Sequence, residues 1–140
     1  MSVVVDASVI VALVVADERQ DAVEQQIKDW LDHGVEMHAP AVLPYEIANV
    51  MARRVFDGLL GVKDVVDIWS DLAAIPLVIH PFEFGEDGAT VAETTARMQR
   101  RHATDATYVC LAQRLGTKVY TLDRSLARNA TAVRLPVRLV

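Results

Sequence analysis

The chain has 140 residues, 52% of them apolar and 24% charged, with one cysteine and a formal net charge of −5. That length fits a single domain, 1–140, with a real core, and the composition excludes a disordered chain. One cysteine excludes an internal disulfide, and the acidic balance excludes a generic basic coat for nucleic acid.

The alternation of apolar runs predicts the elements in order. Val3–Val5 is a short apolar strand that ends at Asp6, and Ala7–Ala16 continues as a helix with Ser8 in its first turn. The longest apolar run, Val9–Ala16, has no basic residue ahead of it, so it fits neither a signal peptide nor a membrane span. We expect a soluble, cytoplasmic protein. Glu18–Asp32 carries Val23, Ile27, Trp30 and Leu31 at helical spacing, with Gly34 as its stop. A short strand follows at Glu36–Ala39. Pro40 and Pro44 set the start of the next helix near Val42, because proline is tolerated only in a first turn, and the helix runs to Phe56. Val62–Ile75 is amphipathic and is ended by Pro76; Leu77–His80 reads as a buried strand and Pro81–Gly88 as a loop. Helices at Ala89–Arg101 and Thr104–Leu115 follow, the second stopped by Gly116. A strand at Lys118–Leu122, a short helix at Arg124–Asn129 and a last strand at Val137–Val140 complete the chain. Strands separated by helices in this order predict an α/β fold, a three-layer α/β/α sandwich around a mostly parallel central sheet.

Charge is unevenly spread. Residues 1–70 hold 5 Lys and Arg against 12 Asp and Glu, whereas residues 71–140 hold 9 against 7, and that second set of cations is arginine with one exception. The planar guanidinium suits phosphate, although solvated helix faces and a charged last strand account better for any single arginine. Cys110 lies on a helical pattern and reads as a small core residue.

Four carboxylates stand where charge is least welcome: Asp6 after the first strand, Glu46 in an apolar helix, Asp105 opening another, and Asp123 after Val119–Leu122. Asp6, Asp105 and Asp123 each have a simpler explanation as helix N-caps. Glu46 does not, since it is expected past the first turn, on a face shared with Asn49 and Arg53. In an open parallel sheet the crevice outside the carboxyl ends of the strands is the usual place for a site, and Asp6 and Asp123 fall there. Four converging carboxylates repel one another unless a cation intervenes, and oxygen-only ligation selects Mg²⁺, with Mn²⁺ as its substitute, over zinc. His33, His38, His80 and His102 show no ligand spacing with one another; of the four, only His102, three residues before Asp105, is placed to reach the acidic site.

Taken together, the opening V-V-D-A-S-V, the Y-E-I-A-N segment, the D-A-T-Y-V-C-L-A helix and the T-L-D-R segment resemble a PIN-domain ribonuclease of the VapC toxin type. The resemblance runs through essentially the whole chain. It implies a Mg²⁺-dependent endoribonuclease, a homodimer, held inactive by a cognate VapB-like antitoxin. By position it makes Asp6, Glu46, Asp105 and Asp123 the acidic quartet that binds metal and catalyses, Ser8, Asn49 and Thr121 its polar neighbours, and Arg124 a nearby basic contact. Thr104 departs from the family, which more often has a larger residue before the third acid.

The residues themselves agree with metal-assisted chemistry. No serine, cysteine and histidine constellation offers a covalent nucleophile, so attack by a metal-activated water is the natural route. Arg124 and Arg53 are candidates to hold the scissile phosphate, and the ridge Arg97, Arg100 and Arg101 to guide the RNA strand. Two other readings compete. A phosphatase that uses Asp6 as phospho-acceptor wants a second acid two residues on, where this chain has Ser8. A catalytically inactive PIN-like interaction module would not need all four acids.

Overall fold

The computed structural model describes residues 1–140. Five strands, β1 (Ser2–Val5), β2 (Glu36–Pro40), β3 (Leu77–His80), β4 (Val119–Thr121) and β5 (Val137–Leu139), form one sheet in the order β3-β2-β1-β4-β5. Every neighbouring pair is parallel. Seven helices connect them: α1 (Ala7–Val14), α2 (Gln20–Asp32), α3 (Leu43–Phe56), α4 (Val62–Leu72), α5 (Phe84–Arg97), α6 (Thr104–Leu115) and α7 (Arg124–Ala132). None is long and apolar enough to cross a membrane.

Parallel pairing forces a crossover between successive strands, and crossovers are right-handed. The chain steps outward from β1 to β2 to β3, then returns over the sheet to place β4 on the other side of β1. Handedness therefore puts α1–α4 on one face and α5–α7 on the other, the three-layer arrangement expected from the sequence. Contacts agree: α1 packs on α2 and α3, α5 packs on α6, and α6 lies across β1 and β2. The strand order reverses between β1 and β4, so the crevice beyond their carboxyl ends is the switch point where open α/β sheets place their sites.

A central sheet covered on both faces needs strands without polar alternation, and β1 supplies one: Val4 and Val5 are fully buried. The core extends through Val9 and Ile10 of α1, Val23 and Trp30 of α2, Met51 of α3 and Tyr108 and Val109 of α6. Each fully buried side chain of this size contributes about 1.5–3 kcal/mol of transfer free energy.

Several element limits differ from the sequence-based expectation, each for a local reason. The second helix starts at Gln20 because the Asp17 carboxylate accepts the backbone N–H of Arg19 at 2.8 Å and grips its guanidinium, fixing a turn first. That pairing holds Asp17 down at about 2. Residues 84–88 are helical, not a loop, despite Gly85 and Gly88. The Asp87 carboxylate reaches back to the N–H of Glu83 at 2.8 Å, and this local bond offsets the poor helix propensity of glycine. The same helix ends at Arg97, four residues early, because Gln99 turns to φ 53°. β3 is an edge strand with Val78 and Ile79 exposed, not the buried strand its apolar run predicts.

Candidate metal and phosphodiester site

Asp6 takes the N-cap position of α1 with extended backbone, yet its carboxylate caps nothing. The parallel register sets Val5 beside Tyr120, which brings Asp6 level with Thr121. Both hydroxyls near it donate to the same oxygen, Oδ2: Ser8 Oγ at 2.6 Å and Thr121 Oγ1 at 2.7 Å. These hydroxyls in turn accept from the backbone, Ser8 from Leu122 N–H and Thr121 from Asp123 N–H, each at 3.0 Å. The ends of β1 and β4 are thus tied together through Asp6. Burial pushes its pKa up, the two hydroxyls oppose that, and the charge of Asp105 adds to the rise.

Glu46 lies in the first turn of α3, because the helix begins at Leu43 rather than earlier in the chain. A carboxylate there is favoured by the helix dipole, a bland contribution that its predicted mid-helix place had excluded. Its surroundings are less bland. The buried phenol of Tyr108, from α6, donates to Glu46 Oε2, and the carboxyl pKa is pushed up to about 7, first by burial and then by Asp6 and Asp105. Tyr108 itself is pushed far up by burial and by the charges of Asp6 and Glu46, so its phenol stays a donor. Sequence reasoning missed this residue. Its signal was present: a phenol three residues after Asp105 on a buried helix face must find a hydrogen-bond partner.

Asp105 is not a cap either, since α6 starts one residue before it with Ala103 in the capping position. Asp123 is one: its Oδ1 accepts Leu126 N–H at 3.0 Å and starts α7. Between these two acids stands Arg100. Its Nε and Nη2 donate to Asp105 Oδ2 at 2.9 and 2.6 Å, and Nη2 is 3.6 Å from Asp123 Oδ2.

One open cavity of about 470 Å³ collects most of these groups, including Asp6, Ser8, Glu46, Asn49, Asp105 and Asp123. Arg53 lines it from the far end of α3 and Thr104 from the start of α6. Thr121 is fully buried behind Asp6. The arginines divide. Arg124 and Arg101 are exposed and outside the cavity lining, as is His102. Arg97 turns away and donates to the carbonyl of Val133 at 3.0 Å. Arg97, Arg100 and Arg101 therefore do not form the single ridge that a longer helix would have given. Elsewhere, two histidines with no sequence spacing meet across β2 and β3, His38 Nδ1 lying 2.9 Å from His80 Nε2, and Glu36 Oε2 lies 3.6 Å from His38 Nε2, but the three do not form a group able to hold a metal.

The pattern of the PIN domain matches residues 3–132. The chain belongs to the PIN-domain family. Within it, the chain is 32% identical over 143 residues to a protein named Ribonuclease VapC3 from Pyrobaculum aerophilum, covering 97% of this chain and 100% of the relative. Among solved structures it is similar to Mycobacterium tuberculosis VapC20, titled a sarcin–ricin loop cleaving toxin, with a TM-score of 0.68, 16% identity, and 90% and 93% of the two chains covered. FitAB bound to an IR36 DNA fragment matches with a TM-score of 0.60 and 18% identity over 98% and 94%. The PIN-domain match spans all four cavity carboxylates and stops short of β5.

PIN-domain proteins of this type imply a divalent cation, and the donor chemistry here fits one. The lining carboxylates offer hard oxygen ligands in an open cavity, without sulfur or imidazole. No three Asp, Glu, His or Cys side chains converge tightly enough to enclose an ion alone. Mg²⁺ does not require that, because it is usually held by one or two carboxylates and keeps several waters.

Proposed function

We propose that this protein is a Mg²⁺-dependent endoribonuclease, the toxin of a toxin–antitoxin pair, hydrolysing RNA at the cavity of Asp6, Glu46, Asp105 and Asp123. The observation that carries the reading is the convergence of Asp6, Glu46 and Asp105 on one open cavity at the β1/β4 switch point. A folded chain that gathers charge in this way is built for a cation. When bound, Mg²⁺ or Mn²⁺ lowers the pKa of a water and offsets charge on the phosphoryl oxygens.

The chain's own residues do the rest. Ser8 and Thr121 fix one oxygen of Asp6. Tyr108 does the same for Glu46. Asn49 and Arg53 continue the lining along α3, where an amide and a guanidinium suit the phosphates flanking the cut. The names of the relatives, a ribonuclease and an rRNA-loop-cleaving toxin, support RNA as the substrate. A homodimer and a cytoplasmic location belong to the same reading. The exposed rim of Val78, Ile79, Phe82 and Phe84 supports a second copy.

Cleavage-site mapping on total RNA tests the proposal. Purified protein with Mg²⁺ or Mn²⁺ is expected to cut at discrete positions, and chelator, Asp6→Asn or Asp105→Asn to stop it. Cleavage that persists in excess chelator would sink the mechanism.

A further inference from the structure

One arginine, Arg100, stands between two of the four acids, paired with Asp105 and facing Asp123. Arg100 leaves the end of α5 through the left-handed turn at Gln99, and its side chain is 22% exposed. It reaches Asp105 Oδ2 with two donors, approaches Asp123 Oδ2, and anchors its third nitrogen on Ser125 Oγ at 3.3 Å. The four carboxylates consequently fall into two groups. Asp123 gives one oxygen to the start of α7 and holds the other 3.6 Å from the guanidinium, an ion pair rather than a hydrogen bond. Asp6, Glu46 and Asp105 each keep one oxygen that accepts no side-chain hydrogen bond.

Resting on the nuclease reading above, we propose that Arg100 serves as a built-in second cation, so that the site binds a single divalent ion on its Asp6–Glu46 side. Two-metal nuclease sites use two ions about 3.5–4 Å apart, sharing carboxylates between them. A second ion at Asp105 and Asp123 would have to occupy the space and the oxygens that the guanidinium already holds. The fixed charge of Arg100 also repels a second ion from that side while offsetting the two acids that face it.

Mn²⁺ titration followed by electron paramagnetic resonance counts bound ions without RNA. The wild-type chain is expected to saturate at one Mn²⁺, and Arg100→Ala and Arg100→Gln to take up a second, with Arg100→Lys staying at one. Circular dichroism confirms that each variant is folded, and the wild-type count stands even where one is not. Two ions bound by the wild type, or a single ion bound by both neutral variants, overturns the proposal while leaving the nuclease reading intact. No Mn²⁺ bound by any folded protein overturns both.

Discussion

Glu46 shows how a single side chain reports on the site around it. Its folded pKa is raised from 4.5 to about 7, chiefly by burial, so between those values the folded state holds a proton that the unfolded state has released. Stability from this group is therefore fully present below about pH 4.5 and is lost as pH rises through about 7. The full linkage is discounted because the carboxyl is only part-buried, leaving on the order of 1–2 kcal/mol between pH 4.5 and 7.5 in metal-free protein. Glu46→Gln keeps an acceptor for Tyr108 and removes the titration. Urea unfolding of metal-free protein is expected to show a stability that falls across this range in the wild type and falls less in the variant, and added Mg²⁺ to flatten the wild-type slope. Equal slopes in both proteins would mean that folding does not raise the Glu46 pKa.

The elements that carry the site were the most legible part of the sequence, where local chemistry and periodicity agreed. The limits of α6 coincide with the expectation because Gly116 stops it in the left-handed region at φ 65°, with Thr117 N–H bonded to Ala112 O and Gly116 N–H to Gln113 O. A Cβ at Gly116 meets nothing within 4 Å, so the cost of a side chain there is purely one of backbone conformation. Gly116→Ala is expected to destabilise the protein by about 1 kcal/mol, read as a lower denaturant midpoint, without altering Mn²⁺ affinity. A change of metal affinity together with the midpoint would show that the α6 end is coupled to Asp105. Less legible were features set by contacts remote in sequence. The early start of α5 hangs on one Asp87 side chain, the place of Arg100 on a left-handed Gln99, and the His38–His80 pair on strand register. Periodicity carries none of these. Tyr108 was hidden for another reason, since a buried phenol looks like any core aromatic until its partner is known.

At the scale of the whole molecule, the α1–α4 layer leaves a run of large apolar side chains bare where α3 is followed by α4. Phe56 is 90%, Val62 71%, Leu59 64% and Val66 63% exposed, and Phe56 and Val62 flank a wholly apolar groove between α3 and α4 that includes Met51 and Trp69. A bare apolar surface of this size marks an interaction site, and a groove between helices suits the apolar face of another helix. The toxin reading supplies the occupant, a small antitoxin encoded beside this gene. Expression of the chain alone is expected to slow growth, and co-expression of that neighbour to restore it through a complex that co-purifies. Phe56→Asp with Val62→Asp tests the surface. Both side chains lie in water, so stability should shift by only about 0.5 kcal/mol per site and RNA cleavage should persist, while co-purification and rescue are lost. Retention of the complex by the double variant places the partner elsewhere, and growth arrest by Asp6→Asn as severe as that of the wild type removes the toxin assignment, because the acidic cavity would then have no part in the poisoning.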